Sequence, residues 1–200
     1  MRILVVGAKG DIGQAICAEL QPRHEIITAG RTSGDHQVDL TDLASVQALY
    51  QAVGPVDAVI SAVGEVKFAT LAEFTPDQML FGLQNKVMGQ INLVLAGLNV
   101  VRDGGSLTLT SGILDRDPVA VGVGAATANA ALGGFVKGAA IDMPRGLRLN
   151  VVSPGLLDVS AAKYGQFFPG HVPVAATRVG LAYAKCVEGL PNGQVVIVDG

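Results

Sequence analysis

Gly7, Gly10 and Gly13 fall between a short apolar run, Ile3-Leu4-Val5-Val6, and the start of a helical pattern. Glycines at that spacing let the backbone turn tightly and bring its N–H groups close to an anion, and the start of the next helix adds positive potential. A strand that turns through glycines into a helix is the geometry that holds a dinucleotide pyrophosphate. Gly7, Lys9, Gly10, Asp11, Ile12 and Gly13 are therefore the first candidate binding residues. The alternative, a glycine turn that binds nothing, is disfavoured by the strand-turn-helix context.

A second apolar run ends in Ala29-Gly30-Arg31-Thr32-Ser33. NAD sites usually place an Asp or Glu about 20 residues after the glycines, where it holds the ribose hydroxyls. Arg31 stands there instead, followed by the hydroxyls of Thr32 and Ser33. A guanidinium can grip the 2′-phosphate of NADP through paired charged hydrogen bonds, and Lys9 can assist. The pattern favours NADP(H) over NAD, with an ordinary solvated arginine as the bland alternative.

The elements that must position these residues alternate between short apolar runs and helical patterns. Strands are expected at residues 3–6, 25–29, 58–61, 106–110, 149–152 and 194–198. Helices are expected at 11–21, from a Thr41 cap to about 53, from Thr75 to about 101, at 125–142 and at 179–188. Thr75-Pro76-Asp77-Gln78 is a strong helix start, with a Thr cap, a Pro in the first turn and Gln at the capping-box position. The alternation predicts one α/β domain over residues 1–200: a Rossmann-type doubly wound parallel sheet of about seven strands with helices on both faces. Residues 156–176 show weak periodicity and are too long for an ordinary connection, so they are expected to form a substrate or lid loop.

Composition narrows the classes. Half of the 200 residues are hydrophobic, yet no run approaches the ~20 apolar residues of a membrane span. Net charge is −3 with no basic cluster and no Trp, which argues against a nucleic-acid partner. Cys17 and Cys186 match no metal or disulfide spacing and point to a reducing cytoplasm, and no secretory signal is expected at the N-terminus.

Taken together the chain resembles a short-chain dehydrogenase/reductase over nearly its whole length. Asp39-Leu40 stands where that family faces the adenine, and Ser61-Ala62-Val63-Gly64 is similar to the family's Asn-Asn-Ala-Gly stretch. Asn85, in Gln84-Asn85-Lys86-Val87-Met88-Gly89, matches the catalytic Asn, which leaves Lys86 expected on the outer surface of its helix. Ser111 ends the Leu107–Ser111 run where the family keeps its catalytic Ser. Pro154-Gly155, with Leu157 just beyond, resembles the turn beside the nicotinamide, and residues 193–200 resemble the closing strand. The resemblance implies a small-molecule substrate and a homodimer or homotetramer paired through Gly- and Ala-rich helices.

Three departures matter. The family's glycine pattern wants Gly at Asp11, and Val159 stands where a nicotinamide-binding Thr is common. The largest concerns the Tyr-x-x-x-Lys pair, whose positions hold Ala125 and Asn129. The family's Tyr donates a proton to the substrate oxygen, a contribution worth roughly 10²–10⁴ in rate. Ala125 donates nothing, whereas Asn129 can still hydrogen-bond the nicotinamide ribose. Of the three tyrosines, the resemblance puts Tyr50 and Tyr183 on helices outside the active site and Tyr164 in the substrate segment with Lys163, Phe167, Phe168 and His171. The expectation is an NADP(H)-dependent oxidoreductase acting on a small carbonyl, alcohol or enone with a non-standard proton donor. A non-catalytic NADP(H)-binding sensor on the same scaffold is the alternative.

Overall fold

A computed structural model describes residues 1–200. Seven parallel strands form one sheet in the order β3-β2-β1-β4-β5-β6-β7. They are β1 Arg2–Val6, β2 Glu25–Gly30, β3 His36–Gln37, β4 Val56–Ser61, β5 Val101–Thr110, β6 Arg148–Pro154 and β7 Val195–Val198. The helices are α1 Asp11–Leu20, α2 Leu43–Val53, α3 Pro76–Gly82, α4 Gly89–Gly97, α5 Val123–Ala139, α6 Asp158–Tyr164 and α7 Ala176–Glu188. No helix is long and apolar enough to cross a membrane.

The apolar density of the strands follows from burial on both faces. In β1, Leu4 and Val6 enter a core shared with α2, α4 and α5 through Val46, Leu93 and Leu132. Ile3 and Val5 point the opposite way, into a core shared with α1 and α7 through Ile16 and Tyr183. Period-two alternation thus supplies two hydrophobic layers from one strand. Because every strand runs parallel, the carboxyl ends of β1, β4, β5 and β6 share one edge. The chain order reverses between β1 and β4, and at such a switch point a crevice opens outside those ends.

Several expected boundaries moved. Asp42, not Thr41, caps α2, its carboxylate accepting from the Ala44 N–H at 2.9 Å. The short β3 carries no apolar run and was not expected. The Thr75–Gln78 capping box forms as anticipated, with both reciprocal hydrogen bonds present. The helix it opens does not run on to residue 101. A π-helical turn, Leu83–Met88, interrupts it, with the Gly89 N–H donating to the Gln84 carbonyl, and α4 ends at Gly97. Strand β5 accordingly begins at Val101 rather than 106. Within residues 156–176 lies α6, and its base is closed by hydrogen bonds from Val174 N to Leu156 O (2.8 Å) and from Asp158 N to Val174 O (2.9 Å).

Candidate functional site

The glycine turn is built by backbone contact. Gly7 has φ +89°, and a Cβ there would stand 2.6 Å from both the Ala62 carbonyl and Val63 Cγ1. A Cβ on Gly13 would meet the Gly7 carbonyl at 2.1 Å, so only glycine lets α1 start directly against β1. Gly10 caps α1 without a side-chain hydrogen bond, which leaves the first-turn N–H groups open to an external anion. Asp11 accepts a hydrogen bond from the Ser160 hydroxyl of α6, tying α6 to the start of α1.

One crevice joins the glycine turn to the β2 and β4 ends. Gly7, Gly10, Arg31, Thr32, Leu40, Ala62, Val63, Gly64 and Asn85 line it, together with Val6, Gly30, Val38, Thr41 and Glu65. Arg31 has no acidic partner within salt-bridge distance, and its one side-chain contact is a long 3.4 Å hydrogen bond to Asn85 Oδ1. Asp39 instead accepts from the hydroxyl and N–H of Thr41, bonds that hold its carboxyl below the usual range with help from the Arg31 charge. Ser61 is fully buried and Leu157 belongs to the core, so neither side chain reaches the crevice. Pro154 and Gly155 close the end of β6, the Gly155 N–H donating to the Val198 carbonyl at 2.9 Å.

Ser111, the candidate catalytic serine, continues β5. Its N–H donates to the Val152 carbonyl at 2.9 Å, and its hydroxyl lies 3.4 Å from the same oxygen. Here the structure corrects the reading of the long helix. The Asn85 side chain is bonded to Arg31 and the Phe81 carbonyl and makes no hydrogen bond to Ser111. Lys86, expected on the outside, runs inward: its stem passes Gly64 and its Nζ donates to the Ser111 carbonyl at 3.1 Å. The π turn explains the exchange. An inserted residue shifts every following side chain by about one position around the helix, which 3.6-residue periodicity does not anticipate.

Gln90 locks this arrangement. Fully buried, it donates to the Lys86 and Thr110 carbonyls (3.1 and 2.9 Å) and accepts from the Thr110 N–H at 2.8 Å. A Gln in an otherwise apolar helix stretch was the one sequence signal for it. Burial pushes the Lys86 ammonium down to about 8, and the Asp115 charge works in the opposite direction.

Asn129 reaches this region from α5. It is buried, its Oδ1 has no hydrogen-bond partner, and its Nδ2 lies 3.2 Å from where a Gly112 Cβ would sit. Ala125, one turn earlier, is buried and offers no polar atom. Tyr164 is exposed near the end of α6, with the Lys163 ammonium 4.8 Å from its ring centre and no hydrogen bond to Ser111. Tyr50 and Tyr183 are sealed in the core, bonded to the Leu93 carbonyl and to Thr110 Oγ1. The 156–176 segment also holds Phe168 and His171 edge to face at 5.2 Å, with His171 Nε2 3.7 Å from Asp117.

A parallel doubly wound sheet with a glycine turn at its switch point defines a dinucleotide-binding oxidoreductase scaffold. Residues 12–178 match the family described as enoyl-(acyl carrier protein) reductase. The chain belongs to the short-chain dehydrogenase/reductase family. It is similar to the solved structure of the protein lin1944 from Listeria innocua, with 46% identity, 99% of each chain covered and a TM-score of 0.97. It is also similar to a small-chain dehydrogenase (27% identity, 100% of this chain and 96% of that one, TM-score 0.85). A third similar structure is a small-chain dehydrogenase in complex with NADPH (26% identity, 100% and 96% covered, TM-score 0.87). No curated protein matches the chain.

Proposed function

We propose that this chain is an NADP(H)-dependent reductase of a small carbonyl or enone, reversible toward the alcohol. The observation that carries the cofactor choice is Arg31, a cation without an acidic partner at the rim of the crevice. The NADPH complex of a similar small-chain dehydrogenase supports it. The residues fit the group. First-turn N–H groups from Asp11 to Gly13 would meet the pyrophosphate, and Gly7 and Gly10 let it approach. Arg31, Thr32, Ser33 and Lys9 would hold the 2′-phosphate, while Asp39, Leu40 and the 62–64 stretch would border the adenosine. Asn129, with its free amide oxygen, would meet a ribose hydroxyl. Bound NADPH supplies a hydride. Ser111 orients the substrate oxygen, and the 156–176 segment, with exposed Tyr164 and Phe167, covers an apolar substrate.

Ala125 favours a second reading, a non-catalytic NADP(H) sensor, because the buried position of the family's acid is apolar. Calorimetric titration with NADPH and NADH, followed by a carbonyl and enone panel, separates the two. Selective NADPH binding with turnover supports the reductase. Tight binding with no turnover above background supports the sensor. Exposed Leu80, Met88 and Leu95 along α3, the π turn and α4 suit pairing of two copies, which sedimentation would measure.

A further inference from the structure

We propose that Lys86 is the proton donor of this site, delivering its ammonium proton to a substrate oxygen held by Ser111. The inference rests on the reductase reading and names the group that takes the place of the missing tyrosine.

Three observations carry it. Lys86 Nζ donates to the carbonyl of Ser111, so the ammonium is anchored on the residue that the reductase reading assigns to the substrate oxygen. An ammonium has three donors and this one has a single protein partner, which leaves N–H groups for a ligand. The lysine is also held in place: Gln90 grips its carbonyl, and its stem fits against Gly64, where a Cβ would come within 2.5 Å of Lys86 Cγ. Asn129, buried with an unpartnered oxygen beside Gly112, the residue after Ser111, is a second polar group near that strand end with a bond left to make.

The step balances. The hydride that bound NADPH would supply, itself oxidised to NADP+, would form a C–H bond at the carbonyl carbon as the C=O π pair passes to oxygen, and a Lys86 N–H bond would break to give that oxygen its proton. The neutral amine regains a proton from solvent. Such a donor must titrate near the working pH, and the partly buried ammonium, lowered to about 8, does so. Asp115, in the turn after β5, is the charged group acting on it. The residues that touch it (Gly64, Gln90 and Ser111) are uncharged, and exposed Glu65, next to Gly64, pairs with Lys67 at 3.6 Å.

The first test uses the unliganded wild-type protein. Competitive acetylation across pH, read at Lys86 by peptide mass spectrometry, should give a midpoint well below that of the surface lysines. A midpoint like theirs overturns the proposal. The second compares variants in carbonyl reduction. Lys86→Met should lower kcat by about 10²–10⁴ with NADPH affinity kept within a few-fold. Wild-type kcat should fall as pH rises through about 8, and Lys86→Arg, which cannot release its proton, should lose that dependence. Full activity in Lys86→Met overturns the assignment of Lys86 alone. An absence of wild-type turnover overturns the reductase reading beneath it.

Discussion

Gly64 and Lys86 occupy one another's space: a methyl group on Gly64 would stand 2.5 Å from Cγ of Lys86 and 2.9 Å from its Cδ. The glycine lines the cofactor crevice, and the lysine donates to the Ser111 carbonyl. The Lys86 stem thus packs against a residue of the crevice while its ammonium reaches Ser111.

Gly64→Ala should therefore displace the lysine stem. Gly64 also has φ +149°, where a Cβ adds strain of about 1–3 kcal/mol. The expected outcome is a fall in kcat of about tenfold or more together with lower urea stability. Steady-state kinetics and urea unfolding on one preparation check both.

Arg31→Ala should weaken NADPH binding by about 10–100-fold, since a hydrogen bond to a charged group contributes about 1.5–3 kcal/mol. NADH affinity should change little, because NADH lacks the 2′-phosphate. Calorimetry with the two coenzymes gives the ratio, and equal losses for both would remove Arg31 from the phosphate site.

Lys86→Met has a stability signature separate from catalysis. The folded chain releases the ammonium proton near pH 8, and the unfolded chain near 10.5. Below about 8 both states are charged, and burial of the charge costs stability in full. Between about 8 and 10.5 the unfolded state binds more protons, so the wild type gains stability as pH rises. At pH 7 the variant should regain the cost of charge burial, up to a few kcal/mol, offset by about 1.5–3 kcal/mol for the lost charged bond to Ser111. Urea unfolding at pH 7 and pH 10 should show that advantage shrinking.

Ser160→Ala cuts the hydroxyl that ties α6 to Asp11. The lid base, closed by Leu156, Asp158 and Val174, stays intact. Local opening should become easier, so trypsin should cleave after Lys163 about threefold faster or more, with unfolding by urea unchanged. NADPH should restore protection if its pyrophosphate braces the same helix start.

The sequence by itself determined the sheet and the cofactor end. Apolar runs of strand length between helical patterns leave few solutions other than a covered parallel sheet, and Gly13 is required by contacts with Gly7 and Ala8, residues close in the chain. Arg31 was legible for the same reason, standing at the end of a strand that its neighbours already define. Only the tertiary structure decided the substrate end. Whether Asn85 or Lys86 faces Ser111 depends on one π turn, and that turn is held by Gln90 reaching the edge of β5. A single inserted residue changes which side chain points inward without altering composition or apolar periodicity, because its stabilising partner lies on another element.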